Sequence, residues 1–390
     1  MRRIKFITLF ITGISLIIAG CTGEKETVIV TGADQTDQYL PDLQGKNVAM
    51  TINQSSLIGK QVSLDSLLSL GVNVVVGFNP EHGFRGSNVY DTIDAKTGIR
   101  VRSLYRTETN KPLKKDLESI DIMIYDIQDV GTRFYTYLTT LHYVMESCAE
   151  NGIELIVLDR PNPNDSYVDG PVLEEGFKTF VGIDPIPIVH GMTFGEYAEM
   201  LNGEGWLANG IKCKLKVVKM LNYKHGKPYV CPVPPSPNLN TQQSILLYPS
   251  LCLFEGTVIS QGRGTYFPFQ VLGNPELKDK YTFSFTPVSI EGMSVNPPHL
   301  GKECYGLDLR KYNTDIFRKT GRMNLSWLKE FYNAYPNKEE FFRNEKFDKL
   351  AGTNKLREQI IAGKTEKEIR ESWEPELSKF KEIRKKYLLY

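Results

Sequence analysis

From about residue 46 onward, short and nearly continuous apolar runs alternate with stretches of helical period. Residues 48–52 read as a strand, 63–70 as a helix and 72–78 as a second strand, which together make a β-α-β unit. After a polar loop the alternation resumes, with 114–119 helical, 120–125 a strand, 135–151 helical and 153–158 a strand. Strands that are apolar at successive positions, and so buried on both faces, belong to a parallel sheet with helices on either side. The pattern predicts an α/β domain over residues 40–206.

A second region, 207–390, is expected to be a smaller α+β domain. Residues 211–219 read as its first strand, followed by a Pro-rich stretch at 232–237. From 325 the period turns helical, ending in charged helices over 354–362, 366–373 and 375–386, with Leu377, Phe380 and Ile383 facing inward. No internal repeat is visible.

The amino end carries different information. Arg2, Arg3 and Lys5 precede an apolar run at 6–19 that is too short to span a membrane comfortably, which is the pattern of an export signal. The run closes on Ile18-Ala19-Gly20-Cys21, the small-residue box of lipoprotein signals, so residues 1–20 read as a signal peptide and Cys21 as the lipidation site. An ordinary export signal with a chance cysteine is the competing reading. Residues 21–39, poor in large apolar side chains, read as a tether. The expected location is the cell envelope, as a lipid-anchored periplasmic or outer-membrane protein.

Without the three basic residues of the signal, 44 of the 47 Lys+Arg remain against 46 Asp+Glu, and near-neutrality argues against nucleic acid as a partner. Besides Cys21 there are Cys148, Cys213, Cys231, Cys252 and Cys304, an odd number without a C-x-x-C pair. Cys148 and Cys252 read as buried thiols, and Cys213 could pair with Cys231.

Each predicted strand of the first domain ends in a polar loop: 79–86, 126–133 and 159–164. Open α/β sheets bind ligands beyond the carboxyl ends of their strands, so these loops should line one site. The loop after the first strand lacks G-x-G-x-x-G, which removes dinucleotide chemistry, and no cofactor is expected. No G-x-S-x-G appears, and the five histidines (His82, His142, His190, His225, His299) lack H-E-x-x-H spacing, so neither a serine nucleophile nor a metal is expected.

Carboxylate acid/base work remains. Pro80-Glu81-His82-Gly83-Phe84-Arg85-Gly86 crowds a carboxylate, an imidazole and a guanidinium into one loop; the bland alternative is a structural loop in which Arg85 pairs with Glu81. Tyr125 to Tyr135 supplies Asp126, Gln128, Asp129 and Arg133 at a strand end that turns into a helix, where Asp129 reads as a helix cap. Asp159 and Arg160 stand at the third strand end. His190, Glu255 and Arg263 lie beyond the first sheet, and a lone His beside Gly, such as His190, is more often structural. Glycosidic hydrolysis needs a carboxylic acid and a carboxylate roughly 5 to 9.5 Å apart, and Glu81 and Glu255 are the candidates, facing each other across an interdomain cleft.

These motifs resemble the NamZ-type exo-β-N-acetylmuramidases over nearly all of the chain after the tether. The resemblance rests on Asn79 to Gly86, Asp126 to Tyr137 and Leu158 to Pro163. It continues through Gly170-Pro171-Val172-Leu173, Pro187 to Thr193, Leu253-Phe254-Glu255-Gly256-Thr257 and Arg384 to Tyr390. It implies a Rossmann-like first domain, a smaller second domain with a cleft between them, and cofactor-free release of terminal N-acetylmuramic acid from the non-reducing ends of peptidoglycan glycan fragments. It also implies that Glu81 is important, while the pairing with Glu255 is inferred from the residues. One departure stands out: where relatives carry a longer acid-containing segment after the Arg-Gly pair, Ser87-Asn88-Val89-Tyr90 leads almost directly to Asp91 and Asp94.

Catalytic roles are therefore expected for Glu81 and Glu255, and substrate contacts for His82, Arg85, Asp126, Gln128, Arg133, Asp159, Arg160, His190 and Arg263. One of Arg85, Arg133 and Arg263 is expected to pair with the lactyl carboxylate of muramic acid. Two rival readings are a surface lipoprotein that binds cell-wall sugar without cleaving it, and a hexosaminidase for another amino sugar.

Overall fold

The computed structural model describes residues 27–86, 90–105 and 109–390. The expected export signal, Cys21 and residues 87–89 after Gly86 lie outside the described residues.

The first unit is built on a seven-stranded sheet of β1 (Asn47–Ile52), β2 (Asn73–Asn79), β3 (Thr92–Ile93), β4 (Arg100–Ser103), β5 (Ile122–Asp126), β6 (Glu154–Leu158) and β7 (Lys214–Val218). The strand order is β7-β6-β5-β1-β2-β4-β3, parallel throughout except for β3 against β4. Burial of both faces explains why the central strands are apolar at nearly every interior position. Val48, Met50, Ile52, Ile122, Ile124, Ile156 and Leu158 enter one core, whereas Ala49, Met123, Tyr125, Leu155 and Val157 enter the other. Helix α1 (Ser63–Ser69) covers the first face with Leu64 and Leu67. Helix α2 (Tyr137–Asn151) covers the second with Leu138, Leu141, Val144, Met145 and Cys148, at spacings of three and four. Helix α3 (Phe194–Glu204), started by a Thr193–Glu196 capping box, packs on the same side.

The second unit holds helix α4 (Gln242–Leu251), a three-stranded antiparallel sheet of β8 (Val271–Asn274), β9 (Phe283–Phe285) and β10 (Cys304–Asp308), helix α5 (Asn344–Ala351) and helix α6 (Glu366–Lys385). One hydrophobic core runs through both units, and Arg370 of α6 crosses back to ion-pair with the buried Asp169 at 2.7 Å.

Several expectations are corrected. The described half of the supposed tether is packed: Tyr39 is fully buried and donates to the Ala33 carbonyl, Val30 bridges Leu221, and Gly32 donates to the Asp159 carbonyl. A few well-placed residues anchor this stretch to the sheet even though its composition is polar. The strand expected to open the second domain is β7, which pairs in parallel with β6, so the boundary at 207 is too early. The two helices expected on either side of Glu374 are one, α6, with Pro375 in its interior and exposed; Leu377 and Phe380 are buried as their spacing predicts. Cys213 lies against Cys148 rather than Cys231, and the five described cysteines are free thiols.

Candidate active site

Strand β1 occupies the centre of the sheet, with β2 on one side and β5 on the other, so the winding direction reverses there and a crevice opens beyond the strand ends. A cavity of about 290 Å³ occupies this position. Its polar lining comes from separate parts of the chain: Glu81 and His82 after β2, Tyr135 and Thr136 before α2, Ser236 and Asn238 from the Pro-rich stretch, and Glu255 and Arg263 from the second unit.

Glu81 is held from α2. The Thr136 hydroxyl donates to its Oε2 at 3.0 Å, and the Tyr137 hydroxyl donates to its main-chain carbonyl at 3.0 Å. The Tyr135 and Tyr137 rings meet edge to face at 4.5 Å, and Tyr135 donates to the Pro235 carbonyl at 3.0 Å, so the wall behind Glu81 is braced against the Pro-rich stretch. The next residue, His82, has φ 74°, a left-handed conformation uncommon for a side chain larger than glycine and characteristic of functional loops. Burial pushes its imidazole below the ordinary range, so it is neutral at pH 7. Arg85 does not pair with Glu81; its guanidinium reaches Asp94 and Asp65, both at 2.8 Å.

Glu255 sits on a short 3-10 turn, Cys252–Gly256, pressed against α5. Gly256 permits that approach, since a Cβ there would lie 2.4 Å from the Phe347 Cα. Arg263 stands between two left-handed glycines, Gly262 at φ 84° and Gly264 at φ 82°, which turn the chain sharply enough to aim it back at Glu255. Its Nε and Nη2 donate to Glu255 Oε1 at 3.1 and 2.7 Å, and Lys346 Nζ lies 3.5 Å from Oε2. Burial alone would raise the Glu255 carboxyl; Arg263 and Lys346 overcome it and hold the group below its usual range. The cavity thus presents one carboxylate clamped by cations and one held by a hydroxyl.

The remaining sequence candidates lie behind this surface. Asp126 and Arg160 form a buried pair at 2.6 Å that joins the ends of β5 and β6, with Arg160 also donating to the Leu57 carbonyl. Asp159 accepts from Thr193, the Gly195 amide and Tyr390, and burial pushes its carboxyl up to about 6. Gln128 donates to the Pro161 carbonyl at 2.6 Å, and the buried His190 lies 3.3 Å from Asp129. Asp129 does not cap α2, whose N-cap is Thr136. Arg133 departs furthest from expectation. It is 1% exposed, and its two terminal nitrogens donate to the carbonyls of Pro171, Ile186, Leu350 and Ala351. None of these side chains lines the cavity; only Glu81, His82, Glu255 and Arg263 of the candidates do.

Sequence reading missed Thr136, although it falls within a quoted motif, and Asn238, whose buried Oδ1 has no partner. It also missed Lys346, which no local pattern marks. Among the described residues, no group of three or more His, Cys, Asp or Glu side chains converges as a metal site would require.

Residues 48–243 match the family described as exo-beta-N-acetylmuramidase NamZ, N-terminal, and residues 246–390 match its C-terminal counterpart. These bounds leave β7 in the first unit, as the sheet does. The chain is 39% identical to the peptidoglycan beta-N-acetylmuramidase NamZ of Bacillus subtilis, covering 94% of this chain and 92% of that protein. Two solved DUF1343 family proteins from Bacteroides fragilis NCTC 9343 share the fold. One has a TM-score of 0.87 at 46% identity and the other 0.79 at 30%, each over 93% of this chain and 99% of its own. This chain belongs to the NamZ family of exo-β-N-acetylmuramidases.

Proposed function

We propose that this protein is an exo-acting glycoside hydrolase that releases N-acetylmuramic acid from the non-reducing ends of peptidoglycan glycan fragments. The observation that carries the reading is the pairing, in one cavity of the family's cleft, of two glutamates in opposite electrostatic settings. Glu81, hydrogen-bonded by a hydroxyl, serves as the acid that protonates the leaving oxygen. Glu255, kept ionised by Arg263 and Lys346, supplies negative charge to the oxocarbenium-like transition state and activates its water or attacks the anomeric carbon. His82, neutral beside them, accepts or donates one hydrogen bond to the sugar.

The lipoprotein box supports a further part of the proposal: export, lipidation of Cys21, and residence in the cell envelope as a membrane-anchored enzyme of cell-wall turnover. A Cys21→Ala variant should move from the membrane to the soluble fraction.

Release of nitrophenol from the para-nitrophenyl glycoside of N-acetylmuramic acid, and not from the N-acetylglucosamine analogue, tests the activity directly. Binding of the sugar without release would instead support the non-catalytic reading.

A further inference from the structure

A second recess of about 440 Å³ adjoins the cavity just described, and Glu255 and Arg263 line both. Its charge is unbalanced: Arg263, Arg343 and Lys346 face one carboxylate, Glu255. Arg263 already spends its Nε and Nη2 on Glu255, and Lys346 approaches the other oxygen at 3.5 Å. Arg343 forms no ion pair among the described residues, yet its main chain is fixed: its N–H donates to the Gly256 carbonyl at 2.8 Å, beside Glu255. The recess also contains Gln261, which is 2% exposed and has a buried Oε1 without a partner. A recess with surplus positive charge beside the reacting centre suits an anionic substituent of the substrate, while the Gln261 Oε1, an acceptor, is left for a hydroxyl or N–H of the same sugar.

We propose that this recess receives the carboxylate of the 3-O-lactyl ether, with Arg343 and Lys346 as the residues that select muramic acid over glucosamine. The inference rests on the muramidase reading above and deepens it. Muramic acid differs from glucosamine by this ether alone, so a site that discriminates between them must meet its carboxylate, and the surplus cations lie outside the Glu81 cavity, in the adjoining space. The assignment differs from the one the sequence suggests. Arg85 and Arg133 are committed elsewhere, and Arg263 is neutralised by Glu255, so the selecting charge comes from α5 and the residue before it.

The test compares the wild-type protein with Arg343→Gln, Lys346→Met and the double variant on four nitrophenyl glycosides. These are N-acetylmuramic acid, its lactyl methyl ester, a derivative whose lactyl carboxyl is amide-linked to an alanyl-glutamate dipeptide, and N-acetylglucosamine. Wild type should prefer the free acid over its ester. The double variant should lose about 10- to 100-fold in kcat/KM on the free acid, mostly through KM, as removal of charge-assisted hydrogen bonds predicts. The rate on the ester should stay unchanged in Arg343→Gln, which also shows that this variant folds; Lys346→Met, which also touches Glu255, should lose some rate on every substrate, and its selectivity is read as the acid-to-ester ratio. Equal wild-type rates on acid and ester, or undiminished selectivity in the double variant, would overturn the proposal, as would a loss confined to the dipeptide derivative. If wild type hydrolyses none of the muramic glycosides, the muramidase reading itself fails.

Discussion

Two loops of this molecule carry the same residue types, a glutamate followed within a few residues by glycine and arginine, and fold to opposite ends. In the loop after β2, Arg85 is drawn away by Asp65 on α1 and by Asp94, and among the described residues the Thr136 hydroxyl donates to the Glu81 carboxylate. In the second unit no such competitor is found among the described residues, and Arg263 closes onto Glu255 at 2.7 Å with Lys346 in support. The lesson is that an arginine near a glutamate in sequence does not determine the glutamate's electrostatics. The acids brought in from other elements do, and here they produce one carboxylate met by a hydroxyl and one clamped by cations.

The largest effect should come from breaking that asymmetry at its acid. Glu81→Gln is expected to lower hydrolysis of a muramic-acid–glucosamine disaccharide by about 10²–10⁴-fold, the usual span for a lost general acid. The loss should be smaller on the nitrophenyl glycoside, because nitrophenolate leaves without much protonation. Glu255→Gln should slow both substrates alike, since charge facing the oxocarbenium ion is needed whatever the leaving group. Kinetics on the two substrates distinguish the roles, and a Glu81 defect of equal size on both would reverse the assignment.

Next in size is a change of stability rather than rate. Arg133 joins the loop after β5 to the last turn of α5, where Leu350 and Ala351 offer carbonyls at the negative end of the helix. Arg133→Met would take a donor from four buried carbonyls, of which Ile186 keeps the Leu173 N–H, and should cost about 3 kcal/mol or more. Denaturant unfolding should show the loss, while the surviving folded protein keeps its preference between the two sugars.

How far these roles could be read beforehand varies with the range of the physics. Strands β1, β2, β5 and β6 were legible because burial on both faces leaves a continuous apolar run, and the site loops followed from their carboxyl ends. Partnerships set by distant residues were not. Nothing near Arg85 announces Asp65, and nothing near Arg133 announces the carbonyls of α5, so both arginines read as ligand-binding when they are tied into the scaffold. Glu81 and Glu255 came together in the sequence only as what elimination left for carboxylate chemistry, and the structure places both on one cavity; Lys346, on an exposed helical turn, had no legible role at all.

A milder prediction contrasts two histidines. His82, in the cavity, is pushed down by burial and neutral. His142 is also buried, which alone would lower it, but Asp184 and Glu146 at 2.9 and 3.3 Å from its two ring nitrogens push it up to about 9. The folded-state value lies above the unfolded one of about 6.5. The stabilisation is therefore complete below about pH 6.5 and is lost as pH rises toward 9. Melting temperature should fall across that window, and His142→Gln should flatten part of the slope; His225, also pushed up to about 9 by Asp165 and Glu196, accounts for a similar share.

The smallest effect tests the comparison at its origin. If Arg85 serves the scaffold and not the substrate, Arg85→Gln should leave the preference for the muramic glycoside unchanged. Its stability cost should be modest, about 1 kcal/mol, because the guanidinium is partly exposed and both partners keep other donors. Asp65 retains Lys96 at 2.6 Å, and Asp94 retains the Thr97 hydroxyl at 2.6 Å. Arg85 is the main reason the Asp94 carboxyl is lowered to about 2, below its unfolded value of about 3.9. That contribution is present above about pH 3.9 and disappears as pH falls through 2, so the difference between variant and wild type should shrink on acidification. Were Arg85→Gln instead to erase sugar selectivity at neutral pH, the guanidinium would have to leave Asp65 and Asp94 for the substrate, and the two glutamate loops would be electrostatically alike after all.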